Sequence, residues 1–324
     1  MFQKKVIAGL RPFALSEFKV AVEKIGQGSF GAVFLVESKH EPGVFGALKV
    51  FFESKLHERG VLEAQNFERE QRSLERVKNS EHIVTLWDSG QLSPDFFDVL
   101  KSSNSDGKNF RHGRFLLLSY CGGGDLFERI LASENGLEPQ VVISYAKQML
   151  SALAFLAQKQ IIHGDLKPEN IFLTKDNVLK LGDFGFSYVM GEKIPQGGRI
   201  QSRYYMAPEV IRGQVPYTSA IDMWSAGCIL YTCLTKELLF RVANDSDHLI
   251  LIKSLTEGRR KDFLASEIIF KGFIENMLVE DVSRRITAES ALGDPLMTSP
   301  VPKPIVRMVP KELLKKFDGK QTAL

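Results

Sequence analysis

Cysteine is scarce in this chain of 324 residues: Cys121, Cys228 and Cys233 are the three present, and no two of them form a CxxC pair. That usage suits a reducing compartment, cytoplasmic or nuclear, rather than a disulfide framework. Charge of one sign is lacking as well. The 42 Lys+Arg residues stand against 39 Asp+Glu, a net charge of +3, which argues against a nucleic-acid or membrane-surface protein. Arg259-Arg260-Lys261 and the Lys-rich C-terminal tail are locally basic, but runs this short read as solvated faces. Between Met1 and Leu10 there are lysines but no apolar signal-peptide core, and no segment is expected to reach a membrane-spanning length. No internal repeat is evident. What the chain does have is 44% hydrophobic and 25% charged residues, enough to bury one sizeable core or two lobes.

The chemistry is concentrated in His163-Gly164-Asp165-Leu166-Lys167-Pro168-Glu169-Asn170, followed by Asp183-Phe184-Gly185. Those residues supply a base, a cation and two oxygen ligands for a metal, which is the equipment of phosphoryl transfer. Moving a γ-phosphoryl group needs little covalent help, so catalysis reduces to orienting the attacking hydroxyl and neutralising phosphate charge. Either motif alone is weak, because Asp, Asn and Gly are ordinary turn residues. Their joint occurrence, with Asp183 lying 18 residues after Asp165 and a strand-like run from Asn177 to Leu181 between them, defeats the turn reading. Upstream, Gly26-Gln27-Gly28-Ser29-Phe30-Gly31-Ala32-Val33 joins an alternating segment (Phe18, Val20, Val22, Ile25) to the apolar run Val33 to Val36. This is a strand, a turn and a strand. A dinucleotide-binding turn would open a helix instead, and no Walker A lysine follows Gly31. Glycine without a Cβ lets such a loop fold over phosphates and offer its N–H groups.

HxDLKPEN with DFG resembles the catalytic and metal-binding loops of eukaryotic-type protein kinases, Ser/Thr kinases in particular. The resemblance extends to Ala47-Leu48-Lys49-Val50, Met206-Ala207-Pro208-Glu209, Asp222-Met223-Trp224-Ser225-Ala226-Gly227 and Arg285. It implies an α+β, two-lobe protein-kinase-like fold with a strand-rich N-lobe and a mainly helical C-lobe. The expected division is an N-terminal extension (1–17), an N-lobe (18–118), a hinge (119–124), a C-lobe (125–297) and a tail (298–324). It also implies ATP and Mg²⁺ as cofactors and a protein substrate. By the same resemblance Asp165 orients the substrate hydroxyl, Lys167 contacts the γ-phosphate, and Asn170 with Asp183 holds Mg²⁺. Lys49 would reach the α- and β-phosphates with a glutamate partner on the following helix, expected within Glu63 to Lys78. Glu68, Glu70 and Glu75 compete for that place. Glu70 is preferred, since Leu74 and Val77 follow at i+4 and i+7 on one stripe, and Glu68 is the runner-up. Gly26, Gly28 and Gly31 would cover the phosphates. Ile25, Val33, Ala47 and Phe172 would sandwich the purine, Leu118 falls at the gatekeeper position, Cys121 lies in the hinge, and Asp125 is placed for the ribose or a basic substrate residue. Arg285 would pair with Glu209, and Asp222 would brace the catalytic loop.

The departures from the family pattern concern regulation. Most kinases carry an arginine before the catalytic aspartate, clamping a phosphorylated residue of the activation segment. Here Gly164 stands there, and Val189 to Gln201 contains no Ser, Thr or Tyr. Ile200 to Tyr205 and Ala220 to Ser225 resemble the dual-specificity, tyrosine-regulated kinases, whose activation-segment tyrosines would fall at Gly197 and Arg199, with Met206 replacing their later arginine. The segment from Ser89 to Arg114 is longer than the usual strand connection and loop-like at its centre, and that from Gly258 to Phe273 is shorter than usual. Three functions are compatible with the family: an active Ser/Thr kinase, a nucleotide-binding pseudokinase scaffold, and a small-molecule kinase. Intact Lys49, Asp165, Asn170 and Asp183 oppose the second. Lys167-Pro168-Glu169 and the APE segment oppose the third.

Overall fold

A computed structural model describes residues 13–28, 31–54, 57–94, 96, 110–192, 200–256 and 270–298. The chain divides into two compact units, one of Met1–Asn79 with Val84–Tyr120 and the other of Ser80–Ile83 with Cys121–Leu324. In the first, alternation of apolar residues builds an antiparallel sheet of β1 (Phe18–Gly28), β2 (Gly31–Ser38), β3 (Phe45–Ser54), β4 (Leu86–Gln91) and β5 (Phe110–Ser119), in the order β1-β2-β3-β5-β4. Along β2, Ala32, Phe34 and Val36 are buried in turn while their neighbours are partly exposed, the period-2 pattern of a strand with one covered face. Phe13, Leu15 and Phe18 join that core, with the Phe13 ring 5.0 Å from Trp87. Phe13 and Leu15, just before β1, are therefore packed.

A long helix of this unit, α1 (His57–Arg76), begins ahead of the expected Glu63 and ends before Lys78. Gly60 inside it costs only about 1 kcal/mol, and the buried stripe Phe67, Glu70, Leu74 and Val77 holds the face of the helix inward. The long connection expected from Ser89 to Arg114 is strand at both ends, since β4 runs to Gln91 and β5 starts at Phe110. Pairing of Gln91 with Arg114 extends the ladder beyond the apolar core of the strand. The centre of that insertion, Lys101 to Gly107, lies outside the described residues, as do Gly197, Arg199 and most of the segment from Gly258 to Phe273.

The second unit is mainly helical: α2 (Leu126–Leu131), α3 (Pro139–Gln158), α4 (Pro208–Ile211), α5 (Ala220–Thr235), α6 (Asp245–Thr256), α7 (Lys271–Met277), α8 (Ala288–Leu292) and α9 (Pro295–Thr298). Every residue of α5 from Ile221 to Leu234 is buried. A helix apolar all round has to be an interior one. By length and composition alone α3 could cross a membrane, which corrects the expectation that no segment is long enough; half of it is buried inside its unit. Short antiparallel strand pairs belong to the unit as well. β6 (Ile161–Ile162) pairs with β9 (Tyr188–Val189), and β7 (Ile171–Leu173) with β8 (Leu179–Leu181). The strand-like run expected from Asn177 thus starts two residues later, because Asn177 takes φ +58 in the turn, a left-handed conformation that asparagine tolerates.

Candidate active site

In the first unit, antiparallel register places Val33 opposite Lys49 and Ala47 opposite Leu118. Lys49 Nζ donates to both carboxylate oxygens of Glu70, at 2.9 and 2.7 Å. Glu70 is fully buried, so the pair is held where an uncompensated carboxylate would be costly. Glu68, the runner-up, points outward instead and meets Arg114 at 3.5 Å. The glycines before Lys49 are not equivalent. A Cβ on Gly31 would lie 1.9 Å from the Val50 carbonyl oxygen of β3, whereas one on Gly26 would make only ordinary contact with Val33. Gly31 is thus required by strand packing, and a phosphate does not have to be invoked for it. Gly28 pairs with Gly31 across the turn, and Ile25 is exposed.

In the second unit the loop from His163 to Asn170 leaves β6 and is fixed by Asp222 of α5, whose carboxylate accepts from the backbone N–H of His163 at 2.8 Å and of Gly164 at 3.1 Å. Burial pushes the Asp222 carboxyl up from the usual range, opposed by His163 and those two donors. Asp165 follows, nearly buried, with Lys167 Nζ 2.9 Å from one carboxylate oxygen and the Ser202 hydroxyl donating to the other at 2.8 Å. Lys167 also donates to Ser202 Oγ at 3.2 Å. Burial, the largest single influence, acts to lower Lys167, but the charge and hydrogen bond of Asp165 together with the Glu169 and Asp183 charges outweigh it and hold the ammonium above its usual range. Asn170 Nδ2 donates to the Asp165 carbonyl at 2.8 Å, and the Asn170 carbonyl accepts from Gly182 N–H at 2.9 Å. Asp183 therefore starts one residue from a direct tether to Asn170, with φ +56 and the Phe184–Phe186 turn after it. Phe184 is buried with its ring 4.9 Å from that of His163, whose Nε2 lies 2.9 Å from the Gly182 carbonyl oxygen.

This arrangement suits Mg²⁺. With its Nδ2 engaged by Asp165, Asn170 has its Oδ1 left as a hard oxygen donor, and Asp183 adds a carboxylate. Mg²⁺ takes one or two protein oxygens and fills the remaining positions with water and phosphate. Farther along the unit, Cys121 is buried and its thiol is pushed up to about 11 by burial. Phe172 bridges Asp125, whose carboxylate accepts from Glu128 N–H at 2.8 Å and so caps α2. Arg285 makes two bonds to Glu209, at 2.6 and 2.9 Å. Sequence reasoning did not foresee the bond from Ser202 to Asp165. The two lie 37 residues apart, and the only local signal was a hydroxyl at a fixed spacing before Ala207-Pro208-Glu209.

Residues 20–297 match the protein kinase domain. Among curated proteins, the chain is 31% identical over 227 residues to serine/threonine-protein kinase Nek1 of Mus musculus, covering 69% of this chain and 17% of that protein. It is 32% identical over 252 residues to cyclin-dependent kinase-like 4 of Mus musculus, 77% of this chain and 67% of that protein. To serine/threonine-protein kinase ULK3 of Xenopus laevis it is 31% identical over 285 residues, 86% and 55% respectively. The chain spans under a fifth of the length of Nek1 and of Nek9 of Xenopus laevis. With the family match covering most of its length and its two units having the strand-rich and helical make-up of that fold, the chain belongs to the protein kinase family.

Proposed function

We propose that this chain is an active protein serine/threonine kinase, transferring the γ-phosphoryl group of ATP to a hydroxyl of a protein substrate. The observation that carries the reading is the Asp165 carboxylate, which already accepts a hydrogen bond from a seryl hydroxyl, that of Ser202, beside the Lys167 ammonium. An incoming acceptor hydroxyl needs the same two partners. Asp165 orients it and takes its proton as the oxygen attacks the γ-phosphorus and the bond to the β–γ bridging oxygen breaks, releasing ADP. Lys167 offsets charge on the transferring group, and Lys49, fixed by Glu70, is assigned to the α- and β-phosphates. Bound at Asn170 and Asp183, Mg²⁺ would supply further charge neutralisation. Ile25, Val33, Ala47, Leu118, Cys121 and Phe172 are assigned to the purine, and Asp125 to the ribose or a basic substrate residue.

Two finer points belong to the same reading. Phe186 directly follows DFG, and a bulky aromatic there crowds the extra methyl of threonine, so serine is the preferred acceptor. Activity is independent of activation-loop phosphorylation, because a phosphate orders a segment only where an acceptor hydroxyl and a cationic clamp coexist; Gly164 stands at the clamp and Val189 to Gln201 lacks a hydroxyl. The reading includes a reducing, cytoplasmic or nuclear setting, supported by three cysteines that are free and buried. The test is transfer of radiolabel from ATP to a degenerate peptide library, beside Asp165→Ala and Asp183→Ala. Label on serine peptides, lost in both variants with folding retained, is expected; undiminished turnover in either variant would overturn the assignment. Peptide pairs differing only in Ser or Thr check the acceptor, and intact-mass-verified phosphatase treatment checks the loop.

A further inference from the structure

Gly164 and Gln201 form a junction that phosphoryl-transfer chemistry leaves unexplained. Gly164 has φ +76, and a Cβ there would lie 2.5 Å from the Phe186 carbonyl oxygen and 3.3 Å from the Tyr188 ring. No side chain fits at that place, so an arginine clamp is excluded by the backbone itself. The Gly164 carbonyl instead accepts from the backbone N–H of Gln201 at 2.8 Å. Gln201 is left-handed too, with φ +65, a conformation that an L residue keeps only where its surroundings over-determine it.

Those surroundings are its own side-chain bonds. The carboxamide is nearly buried, at 6% residue exposure. Its Nε2 donates to the Ile221 carbonyl at 2.9 Å and to Ser225 Oγ at 2.8 Å, both on α5, while its Oε1 accepts from Ala207 N–H at 2.9 Å. Ser225 in turn donates to the Tyr205 carbonyl at 2.8 Å. The stretch from Ser202 to Ala207 is thus tied at its start to Asp165, in its middle to Ser225 and at its end to Gln201. We infer that Gln201 is a positioning residue, holding this stretch against the buried helix α5 and the catalytic loop without any phosphate. The amide suits the place because one end must donate and the other accept. A carboxylate would turn an oxygen toward the Ile221 carbonyl, and a shorter side chain would not span the gap. The inference rests on the proposed kinase activity for its kinetic consequence, though not for the ordering itself.

The experiment uses the full chain, stripped by phosphatase and verified by intact mass, as parent, Gln201→Ala, Gln201→Glu and Ser225→Ala. It reads steady-state kinetics with a serine peptide and ATP, and amide hydrogen exchange over residues 200–209. Expected for Gln201→Ala is a peptide KM raised at least tenfold, an ATP KM changed less than twofold, and exchange over 200–209 at least tenfold faster with the sheet of the first unit unchanged. Gln201→Glu should move the same way, and Ser225→Ala less. A peptide KM and local exchange within twofold of the parent would overturn the inference, as would equal loosening of both units. Should Gln201→Ala not fold, Ser225→Ala decides by the same two readouts, an unchanged result again overturning it. If the stripped parent transfers no phosphate, the kinase reading falls, and the exchange comparison alone decides the role of Gln201.

Discussion

Single residues in this chain are held by geometry that a conservative change would not respect. Restoring the family's usual arginine by Gly164→Arg forces a left-handed backbone and a contact with the Phe186 carbonyl. The variant is expected to lose about 2 kcal/mol or more of stability, measured by chemical denaturation, and to gain no dependence on phosphate. Arg285→Ala is the larger loss. Glu209 is buried and both its carboxylate oxygens are bonded to that guanidinium, so removing one partner strands a charge at a cost of about 3–5 kcal/mol. A free energy of unfolding within about 0.5 kcal/mol of the parent would refute that expectation. Glu70→Gln leaves the Lys49 ammonium without its carboxylate; phosphate transfer should fall by at least tenfold, about 1.4 kcal/mol, with the fold intact by circular dichroism.

At the scale of elements, helices and strands are positioned by their ends as much as by their faces. α2 begins at Asp125, whose carboxylate accepts from Glu128 N–H while the Glu128 side chain returns to the Asp125 N–H, a reciprocal cap. Asp125→Ala should therefore cost about 1 kcal/mol of stability, and Asp125→Asn, which keeps an oxygen acceptor, much less. Thermal melts of the two variants separate this capping role from any contact with substrate. Gly124, the last residue of the expected hinge, takes φ +79 just before that cap, so the turn and the helix start are set together. Along α1, by contrast, the buried stripe decides: Glu70 faces inward because Phe67, Leu74 and Val77 do.

For the whole molecule, buried thiols give a pH dependence with a definite sign. Burial pushes Cys121 up from 9.0 to about 11 and Cys233 from 9.0 to about 12. The unfolded chain releases these protons above pH 9 while the folded chain keeps them. Their stabilisation is thus complete below pH 9 and is lost as pH rises through 11 to 12. For Cys121 alone the span corresponds to roughly 3 kcal/mol. Melting temperature should be insensitive to these groups between pH 6 and 9 and fall steeply above it. Ellman's reagent at neutral pH should find no reactive thiol until the protein unfolds, whereas rapid labelling in the native state would contradict their burial.

What the sequence determined by itself was the set of groups and their local spacing. Asp165, Lys167 and Asn170 lie within one loop, so their proximity is fixed by a few backbone bonds, and the preference for Glu70 followed from helical periodicity with Leu74 and Val77. Strand limits were less legible, because β5 reaches back to Phe110 through pairing with partners distant in the chain, and the packing of Phe13 and Leu15 depends on Trp87 more than seventy residues away. Only the tertiary structure decided that Ser202 meets Asp165, that Asp222 grips the backbone of His163 and Gly164, and that Gln201 occupies the junction with α5. The physical reason is that hydrogen bonds spanning 24 to 59 residues carry no local periodicity. They exist only once burial of α5 and the chain reversals on either side of it have brought donor and acceptor into reach.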